Sequence, residues 1–267
     1  VAAGYKMADA TIKNIETITI KGANHVTADV SGSNITGLET ISVLKSVDAT
    51  VTAAATTDVN VSGAKGTIVV KGGNDVVVTD ATAAKAITVG NLAAGGDATG
   101  TITITDTDNS GALNTITVEG GTDVTVTTTA DKADSGNITI GDSAKGMATG
   151  NATGTITITD TKFGAGEKID VDGGTDVTVT ATADKVASAG TITVGANKAA
   201  TGDVKIVSNT TSDGTATTAG SVTVTGGKTV EITANMTNTA VKAGAATGND
   251  ITAGTYTVIA GDTTTDV

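Results

Sequence analysis

The side chains with chemistry to offer are carboxylates placed beside glycine turns. A Gly-Gly-x-Asp turn occurs as Gly72-Gly73-Asn74-Asp75, Gly120-Gly121-Thr122-Asp123 and Gly173-Gly174-Thr175-Asp176, and Asp106, Asp108, Asp160, Asp170 and Asp172 close or border neighbouring alternating segments. Carboxylate and carbonyl oxygens suit a hard cation such as calcium. If the turns stack, like charges brought one strand apart need a cation or a detour into solvent. Asn74, Asp75, Asp106, Asp108, Asp123, Asp160, Asp170, Asp172 and Asp176 are therefore candidate calcium ligands. Asp and Asn also form turns by bonding their own backbone, and the sequence leaves both readings open. The fourth Gly-Gly turn, Gly226-Gly227, carries Lys228 in place of an acid and offers no such site.

Catalytic chemistry has little to draw on. The chain has one histidine, His25, no cysteine and no arginine. His25 beside Asn24 reads as a solvated turn residue, and a lone imidazole builds no multi-histidine metal centre. Glu167 and Asp170 are the kind of acid pair glycosidases use, but with 1% aromatic residues there is no platform to hold a sugar. Parallel β-helix lyases carry arginine in the site, which this chain lacks. The expectation is a protein that is not an enzyme. A formal charge of −12 and a pI near 4.3 repel a phosphate backbone, which excludes nucleic acid. No run of about 18 apolar residues is present to span a bilayer as a helix.

The elements that must position these acids are short strands. Of 267 residues 58 are Thr and 35 Gly, with only four Leu and no Pro, so the vocabulary is β-branched and stiff at χ1. A Thr/Gly-rich acidic chain is also the composition of disorder, but the pattern argues otherwise. GTITITD begins at Gly100 and again at Gly154, NTITVEGGTDVTVT at Asn114 and KIDVDGGTDVTVT at Lys168; each alternates Ile or Val with Thr, as a strand buried on one face does. The Gly-Gly pairs at 120, 173 and 226 are 53 residues apart, and the GTITITD boxes 54 apart. Gly72-Gly73 precedes Gly120 by a slightly shorter step, and Gly22-Ala23-Asn24, taken as its earlier counterpart, precedes Gly72 by a similar one. A finer step, from position 15 to position 38, relates Ile15–Ile20 to Leu38–Val43, so two coils make one long unit.

Steps in the low twenties, each holding two or more short strands, suit an all-β parallel solenoid of the β-roll or β-helix kind. No coil buries its Val/Ile face alone, but stacking like residues builds a narrow core. About ten or eleven coils at ~4.8 Å would make a rod on the order of 50 Å long. Tandem small β-sandwiches, with the Gly-Gly turns as hairpins, are the competing reading. The organisation expected is N-terminal rungs over 1–66 and a continuous solenoid of about 53-residue repeats over 67–267. The opening at Val1 without a charged-then-apolar leader, and the close at Gly261–Val267 where a strand is due, read as a segment of a longer chain. Six N-x-S/T triplets, at Asn34, Asn60, Asn137, Asn151, Asn209 and Asn235, are accounted for by the abundance of Thr. Exposed Thr rows would form hydroxyl ladders or carry O-linked sugar.

Residues 12–22 (IKNIETITIKG), then Ala28-Asp29-Val30-Ser31-Gly32 and Thr36-Gly37-Leu38-Glu39-Thr40-Ile41, resemble the rungs of large secreted bacterial surface-layer and RTX-associated β-repeat proteins. The resemblance implies an extracellular coat protein at the bacterial cell surface, calcium-dependent, self-assembling into a lattice or matrix filament, with cell-surface polysaccharide as a further partner. An adhesin or autotransporter stalk that presents a distant binding tip is the alternative. The RTX nonapeptide is G-G-x-G-x-D-x-hydrophobic-x; all three Gly-Gly-x-Asp turns here lack its central glycine step.

Overall fold

The computed structural model describes residues 11–22, 24–80, 86–90, 96–107, 115–129, 136–141, 150–213, 216–239 and 251–261. The β-branched alternating segments form strands, and no helix occurs among the described residues. Strands of two ten-stranded sheets alternate along the chain, so each coil gives one strand to each wall. The first sheet holds Thr17–Lys21, Thr40–Leu44, Asp58–Ser62, Val76–Asp80, Ile102–Asp106, Val124–Thr128, Ile156–Asp160, Val177–Asp184, Val204–Ser212 and Val230–Asn238. The second holds Val26–Asp29, Ala49–Ala53, Ile68–Gly72, Ala86–Val89, Thr115–Val118, Ile138–Ile140, Lys168–Val171, Thr191–Val194, Ser221–Thr225 and Tyr256–Ile259. Two short pairs, Ile12–Lys13 with Ile35–Thr36 and Thr217–Thr218 with Ile251–Thr252, lie beside the walls.

Every strand pairing described is parallel, and the Gly-Gly turns join strands of opposite sheets. The chain is thus a parallel β-solenoid, and the sandwich reading, which needs those turns to be hairpins, fails. Ten coils at ~4.8 Å give a body on the order of 50 Å along the stack. Both sheets run through residues 66–67 without interruption.

Register shows why repetition is easier to see at two coils than at one. The first inward residues of the first sheet are 18, 41, 59, 76, 102, 124, 156, 177, 204 and 230. The shortest step runs from 59 to 76 and the longest from 124 to 156. The two 53-residue units, 124 to 177 and 177 to 230, divide at 156 and at 204, the first unequally and the second almost in half. Extra residues enter between strands, and pairing stays in step. The echo of Ile15–Ile20 in Leu38–Val43 is a true coil, since Ile18 pairs with Ile41. One assignment changes: Gly22 follows a first-sheet strand whereas Gly72 ends a second-sheet strand, so these turns lie half a coil out of phase and are not counterparts.

Four inward columns build the core. Ile18, Ile41, Val59, Val76, Ile102, Val124, Ile156, Val177, Val204 and Val230 stack as one, and the column from Ile20 to Ile232 is aliphatic throughout. The second sheet matches it with columns from Val26 to Tyr256 and from Ala28 to Val258. From Ile41 to Ile206 the first-sheet columns are essentially closed to solvent. Parallel stacking places each side chain directly over a similar one, so aliphatic groups of nearly equal size fill the narrow space without voids. The sole phenylalanine, Phe163, is buried in the same core outside the four columns, where the glycines at 190 and 220 leave room.

The corner glycines are fixed by the same packing. Gly174 has φ +79°, and a Cβ there would lie 2.8 Å from Cδ1 of buried Ile156 and 3.2 Å from the Gly154 carbonyl oxygen; Gly166 has φ +80° and nothing within 4 Å. Both Gly→Ala variants carry the left-handed penalty of about 1–2 kcal/mol. G174A is expected to lose a further ~1–3 kcal/mol through overpacking, read as a larger fall in the urea midpoint. Equal midpoints for the two variants would show that the corner is not closely packed.

Candidate functional site

The corner leading from the second sheet back into the first carries the Gly-Gly-x-Asp acids. In successive coils the residue before the first inward position is Asp58, Asp75, Thr101, Asp123, Thr155, Asp176, Asp203 and Thr229. Each acid reaches one coil onward. The Thr101 amide and hydroxyl both donate to Asp75 Oδ1 at 2.7 Å, the Thr155 amide donates to Asp123 Oδ1 at 2.6 Å, and the Asp203 amide to Asp176 Oδ1 at 2.7 Å. Asp58 Oδ1 accepts from the Asp75 amide at 3.2 Å and from Asn74 Nδ2 at 3.1 Å; Asp203 Oδ1 accepts from the Thr229 hydroxyl at 2.5 Å. These carboxylates act as caps that tie one corner to the next.

Room for them comes from a partner motif that inspection of the sequence missed. Corners of Gly-Gly type alternate with corners of Ala-Thr-Gly type, Ala98-Thr99-Gly100, Ala152-Thr153-Gly154 and Ala200-Thr201-Gly202. Bridges pair Ala98 with Gly120, Ala152 with Gly173 and Ala200 with Gly226. The Gly121 amide donates to the Ala98 carbonyl at 2.7 Å, and the Gly154 amide to the Thr122 carbonyl at 2.8 Å, so the ladder continues around the bend. A Cβ on Gly100, Gly154 or Gly202 would collide with the carboxylate of Asp75, Asp123 or Asp176 respectively. The recurrence of Ala-Thr-Gly just before a strand was the available signal.

The other predicted ligands lie elsewhere. Asp106 and Asp160 are buried at the inner end of first-sheet strands, two coils apart, with Thr128 in register between them. Asp160 Oδ1 accepts the Lys162 amide at 3.0 Å. Asp170 points outward on the second sheet between Thr139 and Thr193. Buried Asp172 takes the Asn197 amide at 2.8 Å, its Nδ2 at 2.9 Å and the Lys198 amide at 3.1 Å. Asp108 lies outside the described residues. The eight described candidates are thus divided among several columns, and among the described residues no group of three or more His, Asp or Glu is placed to hold one metal ion. Acid does lie over acid at Asp58–Asp75 and at Asp176–Asp203, with an amide donor between in each case.

The remaining chemistry is sparse. Exposed His25 contacts the Asp48 carboxylate through Nδ1. Glu167 is buried and its Oε2 accepts the Gly164 amide at 2.5 Å, whereas Asp170 faces out, so the two do not form a facing acid pair. A hollow of about 230 Å³ beside the corner, lined by Asn151, Ala152, Gly173, Gly174, Lys198 and Ala199 among others, holds no acid or imidazole. Among the described residues no helix is long and apolar enough to cross a membrane. Compared with family models, curated proteins and solved structures, the chain matches none.

The caps and one further carboxylate can each be tested. In the dispersed, unassembled chain D123A and D176A each remove an acceptor from a corner amide and are expected to cost about 0.5–2 kcal/mol, by the same amount in calcium and in chelator. A loss seen only with calcium present would make these acids metal ligands. Asp184 provides the second test: the Thr211 hydroxyl at 2.5 Å and then Lys162 Nζ at 3.5 Å hold its carboxyl below the ordinary 3.8. A lowered folded value adds stability that is complete above 3.8 and lost as pH falls through the folded value. The urea-midpoint gap between wild type and D184N is therefore expected at pH 7 and closes well below 3.8. A gap unchanged in acid would assign it to something other than charge.

Proposed function

We propose that this chain is a structural, non-catalytic rod from an extracellular bacterial surface layer or matrix filament, and that it assembles with copies of itself. The observation that carries the reading is the unbroken pair of ten-stranded parallel sheets. Such a body spends its apolar side chains on its own columns and presents long regular walls and edges, the shape of a spacer or lattice strut. Its chemistry supports the same reading, since of the acid pair named for catalysis Glu167 is buried on the Gly164 amide and Asp170 faces outward, and the corner aspartates act as caps.

Calcium enters as the agent of assembly. With a net charge of −12, free rods repel one another until divalent ions bridge or screen their acidic corners. Exposed Asp123, Asp176 and Asp203 are the groups available for such bridges between rods. The resemblance to secreted surface-layer and RTX-associated repeats supports the extracellular setting and cell-surface polysaccharide as a further partner.

Negative-stain imaging and light scattering of the purified chain test this. Ordered arrays or filaments are expected on adding calcium, to be reversed by chelator and weaker in equal magnesium. A monodisperse monomer in calcium at every concentration overturns assembly and leaves a passive stalk. A measurable hydrolytic activity lost on replacing Glu167 or Asp170 would overturn the non-catalytic reading.

A further inference from the structure

The outward face of the first sheet carries a feature that neither assembly nor capping uses. On four consecutive coils the two outward positions are both threonine, from Thr103 and Thr105 through to Thr178 and Thr180. Pairing is residue for residue with no bulge, so threonine lies over threonine in two parallel columns. The array repeats every ~4.8 Å between coils and about 6.6 Å along each strand. All eight are partly or fully exposed.

Three observations say what this array meets. It carries no charge over four coils, in a chain with 16 basic and 28 acidic residues. The second sheet differs, because Lys168 and Asp170 interrupt its threonine column. None of the eight hydroxyls takes a hydrogen-bond partner among the described residues, unlike the corner threonines 99, 101 and 229. The hydroxyl ladder expected from the sequence is therefore not formed here, and these groups face water. A β-branched side chain stiff at χ1 on a paired strand holds each hydroxyl and methyl group in a repeated position.

A rigid, uncharged surface that is periodic in two directions selects a ligand with the same two periods. A mineral face would call for charge, and a glycan for aromatic platforms. Both repeats lie close to oxygen spacings on the prism faces of hexagonal ice. Water held by the hydroxyls, with methyl groups between them, is then already near lattice positions, and little further ordering is needed to join a crystal. We propose that the threonine face of the first sheet binds ice. This is independent of the assembly reading.

The test uses the whole chain. Wild type is expected to adsorb to a growing ice hemisphere and to slow recrystallisation of ice grains. A lysine in the middle of the array must be dehydrated or hold the lattice away, so T125K/T157K is expected to weaken the effect by at least about tenfold. T117K/T139K on the opposite wall should act as wild type, and circular dichroism should show all three folded. Grain growth equal to buffer with wild type overturns the proposal, as does equal loss in both double variants. If T125K/T157K instead abolishes self-association, or binding to insoluble polysaccharide, while wild type leaves ice untouched, the face belongs to a second copy or to a glycan and the proposal fails.

Discussion

Residue-for-residue parallel stacking is the constraint on which the rest of the molecule depends. Once Ile18 lies beneath Ile41 and Ile41 beneath Val59, every inward position must accept the same kind of side chain above and below it. Four columns of Val, Ile and Ala, closed by Tyr256 in the last coil of one of them, satisfy that condition; a mixture of large and small groups throughout would leave voids in one coil and clashes in the next. Composition follows from this geometry. Tryptophan and proline are absent from the chain, and the single phenylalanine stands outside the four columns. The hydrogen-bond ladder runs between coils, so each coil completes the backbone bonding of its neighbours and none is stable alone.

Variation is pushed to the corners, and there a second rule operates. A Gly-Gly corner brings its backbone against the aliphatic side chain of the coil before, Gly121 against Ile102 and Gly174 against Ile156. Its aspartate then projects onto the coil after, where an Ala-Thr-Gly corner must lack a Cβ to receive it. From Gly72 onward corners of the two kinds alternate, which makes the chemical repeat two coils there and explains the long period of the sequence. The alternation also gives a turn that resembles a calcium-binding repeat a different use for its aspartate among the described residues. Each aspartate spends Oδ1 on a backbone amide of the next corner, and the central glycine step that would close an oxygen ring is missing.

Much of this was legible in the sequence. Strict Ile/Val–Thr alternation gave the strands, and the echo of Ile15–Ile20 in Leu38–Val43 gave one coil outright. Unequal coils hid the others, the step from 59 to 76 being little more than half that from 124 to 156, because insertions between strands shift spacing without shifting register. The phase of Gly22 was misread for a related reason: turn glycines look alike whichever wall they follow. The carboxylates were singled out by type, but their roles depend on neighbours from other coils. Asp123 is a cap only because Gly154 and Thr155 of the following coil lie next to it, and buried Asp172 is satisfied by Asn197 and Lys198, again one coil on. Such contacts are a property of stacking, which spacing alone does not fix when coil length varies. The Ala-Thr-Gly corner was visible as a repeated tripeptide but carried no chemistry that marked it out.

The separation of charge from the first wall bears on how the two surfaces act. Acids gather at corners because a turn tolerates them and a backbone amide rewards them, whereas mid-strand positions over four coils of the first sheet are neutral threonine. Over a Debye length of about 8 Å at physiological salt, rods therefore repel mainly along acidic edges, and a neutral wall adds little. Ions that screen or bridge the edges change how closely rods approach, yet leave the hydroxyl array unaltered. On the readings proposed here, edge and wall answer to different variables, divalent ions in one case and the order of water in the other. A single stack of coils supplies both surfaces because alternation along each strand sends aliphatic groups inward and hydroxyls outward, and the corners give the exposed aspartates backbone amides to accept from.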